Sequence, residues 1–478
     1  MSTTTEQTDR APTRQRRRRP LVLAVAAIML AVTALPASAD HATNPSEKLH
    51  ALGHSEHPAQ FLGVPAAERR VNSDIAFWGK YAIHGNYDGF RIVDISAPGN
   101  PKLVSHPRCN GDQGDIFVWE NLVVRSWNSP APAGRFCMGE PVPVGFEGVH
   151  VFDISDVRNP TLVTDVFLPC GSHTVTGVPD LENNRLIVYS NVSSATPGNC
   201  PFAPTFDAID IIEIPLDDPA SASRIGEVPL TDGTLGSNQG CHDAGVILGD
   251  VNLLACASGH AANVFSIGAP RGGTLEDPRF LYTVEEEERD AQGNLVGKVG
   301  IGGRWHSAAF TWDGEVLILG WEPGGGAEAR CRADSPDIDK SMFFYDADTG
   351  EKLGQWVLPR PQTAEENCTV HNYDIVPLRS DRYVAVSGNY QAGTWVTDFT
   401  DPSDPVTVAF SDPPPVEPPN LAGAWSSYWY NGFIYESEIQ SGLSVYRLGD
   451  EATAGQIRLP HLNPQTQDPA LLARGRGG

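Results

Sequence analysis

The sequence predicts an all-β fold, a seven-bladed β-propeller of four-stranded antiparallel blades, and three observations predict it. A phrase recurs along the chain, as RIVDISAPGNPKLVS from Arg91, HVFDISDVRNPTLVT from His150 and WVTDFTDPSDPVTVAF from Trp395. Each copy is a short β-rich run, an Asp, a turn built on Pro and a second run. One such hairpin cannot bury its apolar face alone, so its recurrence announces a repeat architecture. Gly and Pro are frequent, at 47 and 39 of 478 residues, and no long amphipathic helix separates the short apolar runs.

From the N-terminus, residues 1–39 read as a signal peptide. Arg14 and Arg16 to Arg19 form a basic region, Leu21 to Leu35 is apolar, and Ala37-Ser38-Ala39 is a small-residue cleavage site. The apolar run is shorter than a membrane helix requires. An uncleaved anchor is the alternative, and the arginine run leaves general and twin-arginine export both open. Residues 40–69 read as a polar lead-in, 70–460 as the propeller and 461–478 as a disordered tail. His50, His54 and His57 share one face if residues 46–57 form a helix, which makes a metal-scavenging arm the alternative to a mobile lead-in.

The formal net charge is −25, and it grows more negative once the arginine-rich first 39 residues are removed. Such a surface repels phosphate backbones and anionic lipid. Nucleic-acid binding is excluded as an expectation, and so is stable membrane insertion after cleavage. The eight cysteines all follow the signal segment, which reads as disulfides in a secreted or cell-surface protein. Sequential pairing is expected: Cys109 with Cys137, Cys170 with Cys200, Cys241 with Cys256, and Cys331 with Cys368. Other connectivities stay open.

The hairpin has weaker relatives at Ala208, Asn263, Met342 and Leu443, which makes seven. Before each lies another pair of short strands, so the unit is four strands, a to d. Seven such units close radially and leave only short sheet edges. Residues 128–147, 192–206 and 322–340 fall between strands b and c, and 271–304 and 409–423 between d and the next a. In a propeller these connections open on one rim, which is where functional variation concentrates. Within them, Glu285 to Glu288 read as a solvated extension.

Strand a lines the channel, with its first residue near the mouth. Across the units that residue is Asp74, Asp115, His173, His242, His306, His371 and Trp425. Four consecutive imidazoles suit copper, zinc, iron or nickel, and the two Asp can ligate or orient a ligand. A polar channel of mutually bonded His and Asp, or a metal-free catalytic or binding site, are the alternatives. The ends of strands b carry Asn86, Asn191, His260, Glu322, Asn389 and Glu436. Most read as turn residues; Glu322, beside Gly324-Gly325-Gly326, is the candidate base or ligand, and Trp425, Asn389 and Glu436 are candidate ligand-binding residues. No Gly-x-Ser-x-Gly elbow, Walker motif or dinucleotide fingerprint is present.

The hairpin phrase, with CGSHTVTGVPD, GCHDAGV, WHSAAFTWDGEVLILGWE and ENCTVHNYDIVP, resembles bacterial secreted proteins of the LVIVD-repeat family over roughly residues 70–450. That resemblance implies a secreted or surface β-propeller and assigns no activity. A more distant likeness, at the level of fold, is to the selenium-binding protein and methanethiol oxidase propellers, whose copper-dependent activity is attributed to channel His. The chain lacks their paired His-His and the Cys of their selenium site, so no residue role carries over. Two functions therefore compete. One is an extracellular binding or scaffold protein, its partner a protein, glycan or small molecule held at the channel mouth. The other is a metal-dependent oxidoreductase, its cofactor a transition metal such as copper or zinc on His173, His242, His306 and His371. A hydrolase or lyase at the same mouth has no specific signature.

Overall fold

Short antiparallel strands dominate a computed structural model of the chain, which describes residues 46, 48–57, 71–192, 200, 206–236, 240–416 and 421–475. Apart from single 3-10 turns, the described residues contain one helix, Ala470–Gly475. The expected signal peptide lies outside the described residues.

The repeating unit is a four-stranded meander. In the first, Asn72–Trp78 pairs with Tyr81–Asn86, then Gly89–Asp94, then Lys102–Ser105, all antiparallel. Its innermost strand is buried almost throughout, whereas the outermost is exposed or half-buried at every position. That gradient is what the sequence encodes: continuous apolar runs inside, mixed ones at the perimeter. Seven innermost strands follow one another around a centre: Asn72–Trp78, Ile116–Trp119, Thr174–Asp180, Cys241–Ile247, Gly303–Phe310, Asn372–Ile375 and Ala424–Tyr430. Each lies against the next, and the last returns to the first. Apolar layers fill the spaces between neighbouring units, for example Phe77 stacked on Tyr430 at 4.6 Å and Phe344 on Phe399 at 4.5 Å.

The molecule is thus an all-β propeller, but its hydrogen bonding does not divide it into seven separate blades. Five sheets of four or five strands stand alone, and an eight-stranded sheet completes the circuit. The physical reason is a parallel bridge. Asn372 and Tyr373 pair directly with Ser426 and Ser427, which joins two inner strands into one sheet.

Two terminal expectations are corrected. Within the lead-in, Leu49–Glu56 is neither a helix nor a free arm but a strand that pairs antiparallel with Gly442–Leu448 and supplies the outermost strand of the last meander. His54 Nδ1 meets Ser444 Oγ at 3.1 Å and His57 Nδ1 meets Asn72 Oδ1 at 2.7 Å, so these imidazoles are built into the sheet and do not form a metal-binding face. Residues 461–475 of the expected disordered tail are ordered across the far end of the channel. His461–Leu462 adds to the first inner strand and Thr466–Gln467 runs parallel to Cys241–Ile247. His461 stacks on Trp78 at 4.4 Å and meets the edge of Trp119. The polar composition that suggested disorder serves to pair backbone groups that have no ladder partner.

Residues 128–147 and 322–340 fall between the strands expected, 271–304 needs one correction, and most of 192–206 and part of 409–423 lie outside the described residues. Residues 128–147 carry the small hairpin of Phe136–Cys137 and Glu140–Pro141. Residues 271–304 include the outermost strand of their own unit, Arg279–Val284, before the hairpin of Glu287–Arg289 and Leu295–Lys298. The Glu run there is a set of anchors: Glu285 accepts from Thr234, Glu286 from the Tyr345 hydroxyl, and Glu288 from the Ile338 amide. All four disulfides join the expected pairs, and among the described residues no helix is long and apolar enough to cross a membrane.

The far-end closure generates a prediction. Asn463 accepts from the Val118 amide and donates to the Val118 carbonyl, both at 2.9 Å and both buried. Asn463→Ala leaves two buried backbone groups unpaired, at a cost of about 2–4 kcal/mol. Urea unfolding is expected to show this as a lower midpoint with unchanged slope; an unshifted midpoint would show that the closure contributes nothing.

Candidate metal centre

Ordinary strand geometry alternates side chains between faces, which on its own does not aim one chosen residue into a narrow channel. The inner strands solve this with β-bulges. The pairing register slips between Asn72 and Ile75, between Cys241 and Asp243, between Trp305 and Ser307, and between Ala424 and Ser426. These slips bracket Asp74, His242, His306 and Trp425. A bulge adds one residue and re-aims a side chain, so these ring residues owe their position to it. His173 and His371 immediately precede their strands, and their amides bond to the Asn191 and Gly388 carbonyls.

The ring predicted from the repeat is real as geometry. His173, His242, His306 and His371 lie side by side, with successive ring centroids 4.1, 4.0 and 4.1 Å apart. All four are buried. With Asp74, Asp115 and Trp425, the first three line one small cavity, joined by Gln113, Thr174, Asp243, Asn372 and Gln465. Its free space of about 10 Å³ suits a water-sized occupant and excludes a sugar or peptide from the interior.

The hydrogen bonds sort the four imidazoles. Gln113 holds His173, its amide nitrogen 2.8 Å from Nδ1. Ser307 Oγ spends its proton on the His371 carbonyl at 2.8 Å, so its 3.0 Å contact with His306 Nδ1 has the imidazole as donor. His371 Nδ1 donates to the Trp425 carbonyl. With both Nδ1 atoms protonated, the Nε2 lone pairs of His306 and His371 remain. They face one atom, Glu322 Oε1, at 3.9 and 3.8 Å. This arrangement, in which a fixed Nδ1–H leaves Nε2 to a metal, is how protein ligands are oriented.

A second group lies beside the first. His242 Nδ1 is 3.5 Å from Asp243 Oδ1, and His306 Nδ1 is 3.7 Å from Asp243 Oδ2. His242–Asp243–His306 and His306–Glu322–His371 are both compact enough for their donor atoms to share an ion. Among the described residues, His242 Nδ1, Asp243 Oδ1 and His371 Nε2 are buried polar atoms without a hydrogen-bond partner. Native interiors rarely leave such atoms unsatisfied.

Electrostatics agree with that picture. Burial, reinforced by the neighbouring His and Arg304, holds His173, His242 and His306 well below the usual imidazole range, and burial takes His371 down to about 3. All four are neutral, the ligating form. Burial pushes Asp243 and Glu322 up to about 7, the Tyr390 hydroxyl bond offsetting part of the rise at Glu322. Asp74 is raised to about 6 by burial, against hydrogen bonds from Tyr428 and Gln465. Asp115 is lifted by burial and by Asp74, and its Oδ2 accepts the Val175 amide at 2.7 Å. These two Asp are thus engaged by protein donors on the cavity wall and belong to neither ligand group.

Of the strand-b tier, only Glu322 reaches the ring. Asn389 instead closes its own turn onto Ser387 Oγ and the Gly393 carbonyl, at 3.0 and 3.3 Å. Glu436 faces the blade interior, accepting from Thr394 Oγ1 at 2.6 Å and the Tyr446 hydroxyl at 3.1 Å. Asn86 caps the Asp88 amide and Asn191 donates to Thr174. Asn389 and Glu436 are therefore corrected from ligand-binding to structural residues, while Trp425 lies 5.2 Å from the His371 ring. His260, also buried, lies outside both groups.

Three functional residues were missed: Asp243, Gln113 and Tyr390. The Tyr390 hydroxyl donates to Glu322 Oε1 at 2.6 Å, and its ring lies 4.3 Å from His371. Tyr390 and Gln113 have φ of 51° and 57°, left-handed values that strain a side chain and cluster at functional sites. Gly326 approaches the same pair, since a Cβ there falls 2.2 Å from the Tyr390 hydroxyl.

The family model described as LVIVD repeat matches residues 70–107. No curated protein matches the chain. Among solved structures, the chain is similar to the computationally designed Ika8 protein, with 10% identity and a TM-score of 0.42, over 84% of this chain and 100% of that one.

Reassigning Glu436 yields a pH prediction. Burial lifts its carboxyl to about 7 from an ordinary value of 4.5. Between those values the folded state keeps a proton that the unfolded chain releases. The stability contributed is complete below pH 4.5 and lost as pH rises through 7, on the order of 3 kcal/mol. Glu436→Gln cannot ionise, so its stability relative to wild type is expected to rise between about pH 5 and about pH 8 by an amount of that order. Urea unfolding at both pH values measures it; a constant difference would contradict the assignment.

Proposed function

We propose that this chain, a β-propeller in which residues 70–107 match the LVIVD repeat, is an extracellular binding protein whose bound species is a transition-metal ion at the channel mouth. The eight-stranded sheet is read here as two blades, which makes seven with the five that stand alone. Four disulfides fit an oxidising compartment, and a cleaved signal segment over residues 1–39 is the export route that fits them.

One observation carries the reading. The Nε2 lone pairs of His306 and His371 converge on one carboxylate oxygen of Glu322, with both Nδ1 protons already committed. Ligand atoms about 2 Å from a tetrahedral ion lie roughly 3.3 Å apart. Closing the observed 3.8 and 3.9 Å takes small side-chain shifts. Two imidazoles and a carboxylate suit zinc, copper or iron. The alternative in which the interior holds an organic ligand is disfavoured by the water-sized cavity. A protein or glycan partner would be confined to the outer rim of insertions.

A metal-dependent oxidoreductase is the second reading, and Tyr390 favours it. Its hydroxyl, bonded to Glu322 beside His371, places a proton donor at the edge of the ligand group.

Tag-free protein, isolated without chelators and analysed by mass spectrometry, is expected to carry near-stoichiometric copper, zinc or iron. His371→Ala is expected to lose it while keeping its circular dichroism spectrum. Protein that stays metal-free after incubation with each ion would falsify the reading.

A further inference from the structure

His306 presents two faces. Its Nε2 looks toward Glu322, which His371 also faces, and its Nδ1 toward Asp243, which His242 also faces. The two donor groups are therefore not alternative descriptions of one site. They lie on opposite nitrogens of a single ring, and one ion cannot occupy both nitrogens of an imidazole.

The inner group has its own evidence. His242 Nδ1 and Asp243 Oδ1, 3.5 Å apart, are both buried and without partners among the described residues. Both residues come from one bulge, where the slip between Cys241 and Asp243 interrupts the alternation expected of adjacent residues. A bulge that leaves two donors unsatisfied in the protein interior carries a penalty for each, unless something outside the protein satisfies them. Asp74 and Asp115 line the same cavity, which makes the wall around the inner group one of oxygen and nitrogen donors. Arg304 is the cation across the ladder from Glu322, on the outer side.

We propose that the channel holds a second transition-metal ion on His242, Asp243 and Nδ1 of His306, so that the His306 ring bridges two ions as an imidazolate. The inference rests on the outer ion of the preceding reading. Binding of the second ion releases the His306 Nδ1 proton to solvent, breaks that ring's donation to Ser307 Oγ and forms a metal–nitrogen bond in its place. Ser307 keeps its own donation to the His371 carbonyl, so the strand contact survives. His173, held by Gln113, stays outside both coordination spheres and walls off the inner side.

The test is titration of chelator-stripped full-length protein with Cu(II), read as bound copper after gel filtration and by electron paramagnetic resonance. Two copper ions per chain are expected. An imidazolate bridge couples their spins, so the resonance at two equivalents should integrate to well under the sum of two isolated ions. Asp243→Asn and His242→Ala should each reduce uptake from two to one and restore a full single-copper signal. Because the spin coupling is read on the unaltered protein, a misfolded variant does not remove the test. Uptake of one equivalent by the unaltered protein would overturn the second ion and leave the outer one standing. Two equivalents with additive, uncoupled signals would overturn the bridge. No copper uptake would overturn the bridged pair, and no uptake in parallel titrations with Zn(II) and Fe(II) as well would overturn both readings.

Discussion

Everything at the channel depends on one constraint: apart from one parallel bridge and two short pairings with the tail, the innermost strands have hydrogen-bonding edges with no further strand to pair with. Backbone groups in a buried position must be satisfied, so each inner edge is met by side chains from its neighbour. Ser73 donates to the Gly114 carbonyl, Ser126 to His173, Thr174 to His242, Thr176 to Ala244, Ser307 to His371, and His371 itself to Trp425. Asp115 and Asp374 accept the amides of Val175 and Trp429. The polar residues of the channel are first of all the hydrogen bonds that hold one blade to the next. At the far end the chain itself does this work through Asn463, Gln465, Thr466 and Gln467.

The candidate centre grows from that requirement. The carbonyls of His173, His242 and His371 are the ones that neighbours engage, which fixes the backbone from which each imidazole projects. The bulges at His242 and His306 then turn the side chains inward. Four buried rings packed at about 4 Å separation have too little water about them to solvate an imidazolium, so the rings stay neutral. Neutral imidazoles beside buried carboxyls are the donor set on which the proposed metal reading rests; a cation among them would favour the ionised forms of Asp243 and Glu322.

Much of this was legible in the chain. The Asp-Pro hairpin gave the architecture, and aligning seven strand starts gave the four His, because repeats carry equivalent residues to equivalent places. Asp243 was not legible, since alternation sends the residue after His242 to the opposite face and only a bulge keeps it at the channel. Gln113 and Tyr390 were missed for a similar reason: each reaches the site through a left-handed backbone that no propensity of Gln or Tyr suggests. Asn389 and Glu436 were misplaced because the ends of strands b do not stand at one level; two point into turns or blade interiors. The tail, polar and rich in Pro and Gln, resembled disorder because its partners are backbone edges, which leave no pattern in a sequence. The count of separate blades failed at Asn372 and Tyr373, whose direct pairing with Ser426 and Ser427 depends on how closely two inner strands approach.

The disulfides complete the logic of the ring. Cys109 precedes Asp115, Cys170 precedes His173, Cys241 precedes His242 and Cys368 precedes His371, each by six residues or fewer. In each of these blades a disulfide therefore fixes the chain just before it enters the channel. Three of them tie that point to an insertion on the same rim, spanning 28, 30 and 37 residues. A cross-link across such a loop removes chain entropy worth about 3–4 kcal/mol, entropy that would otherwise be lost in ordering a strand start next to a long loop. His306 has no disulfide. It follows the 271–304 insertion, whose hairpin is held by Glu285, Glu286 and Glu288, so carboxylate anchors serve there where cystines serve elsewhere. The imidazole shared by both donor groups is thus reached from an insertion held by hydrogen bonds rather than by a cystine.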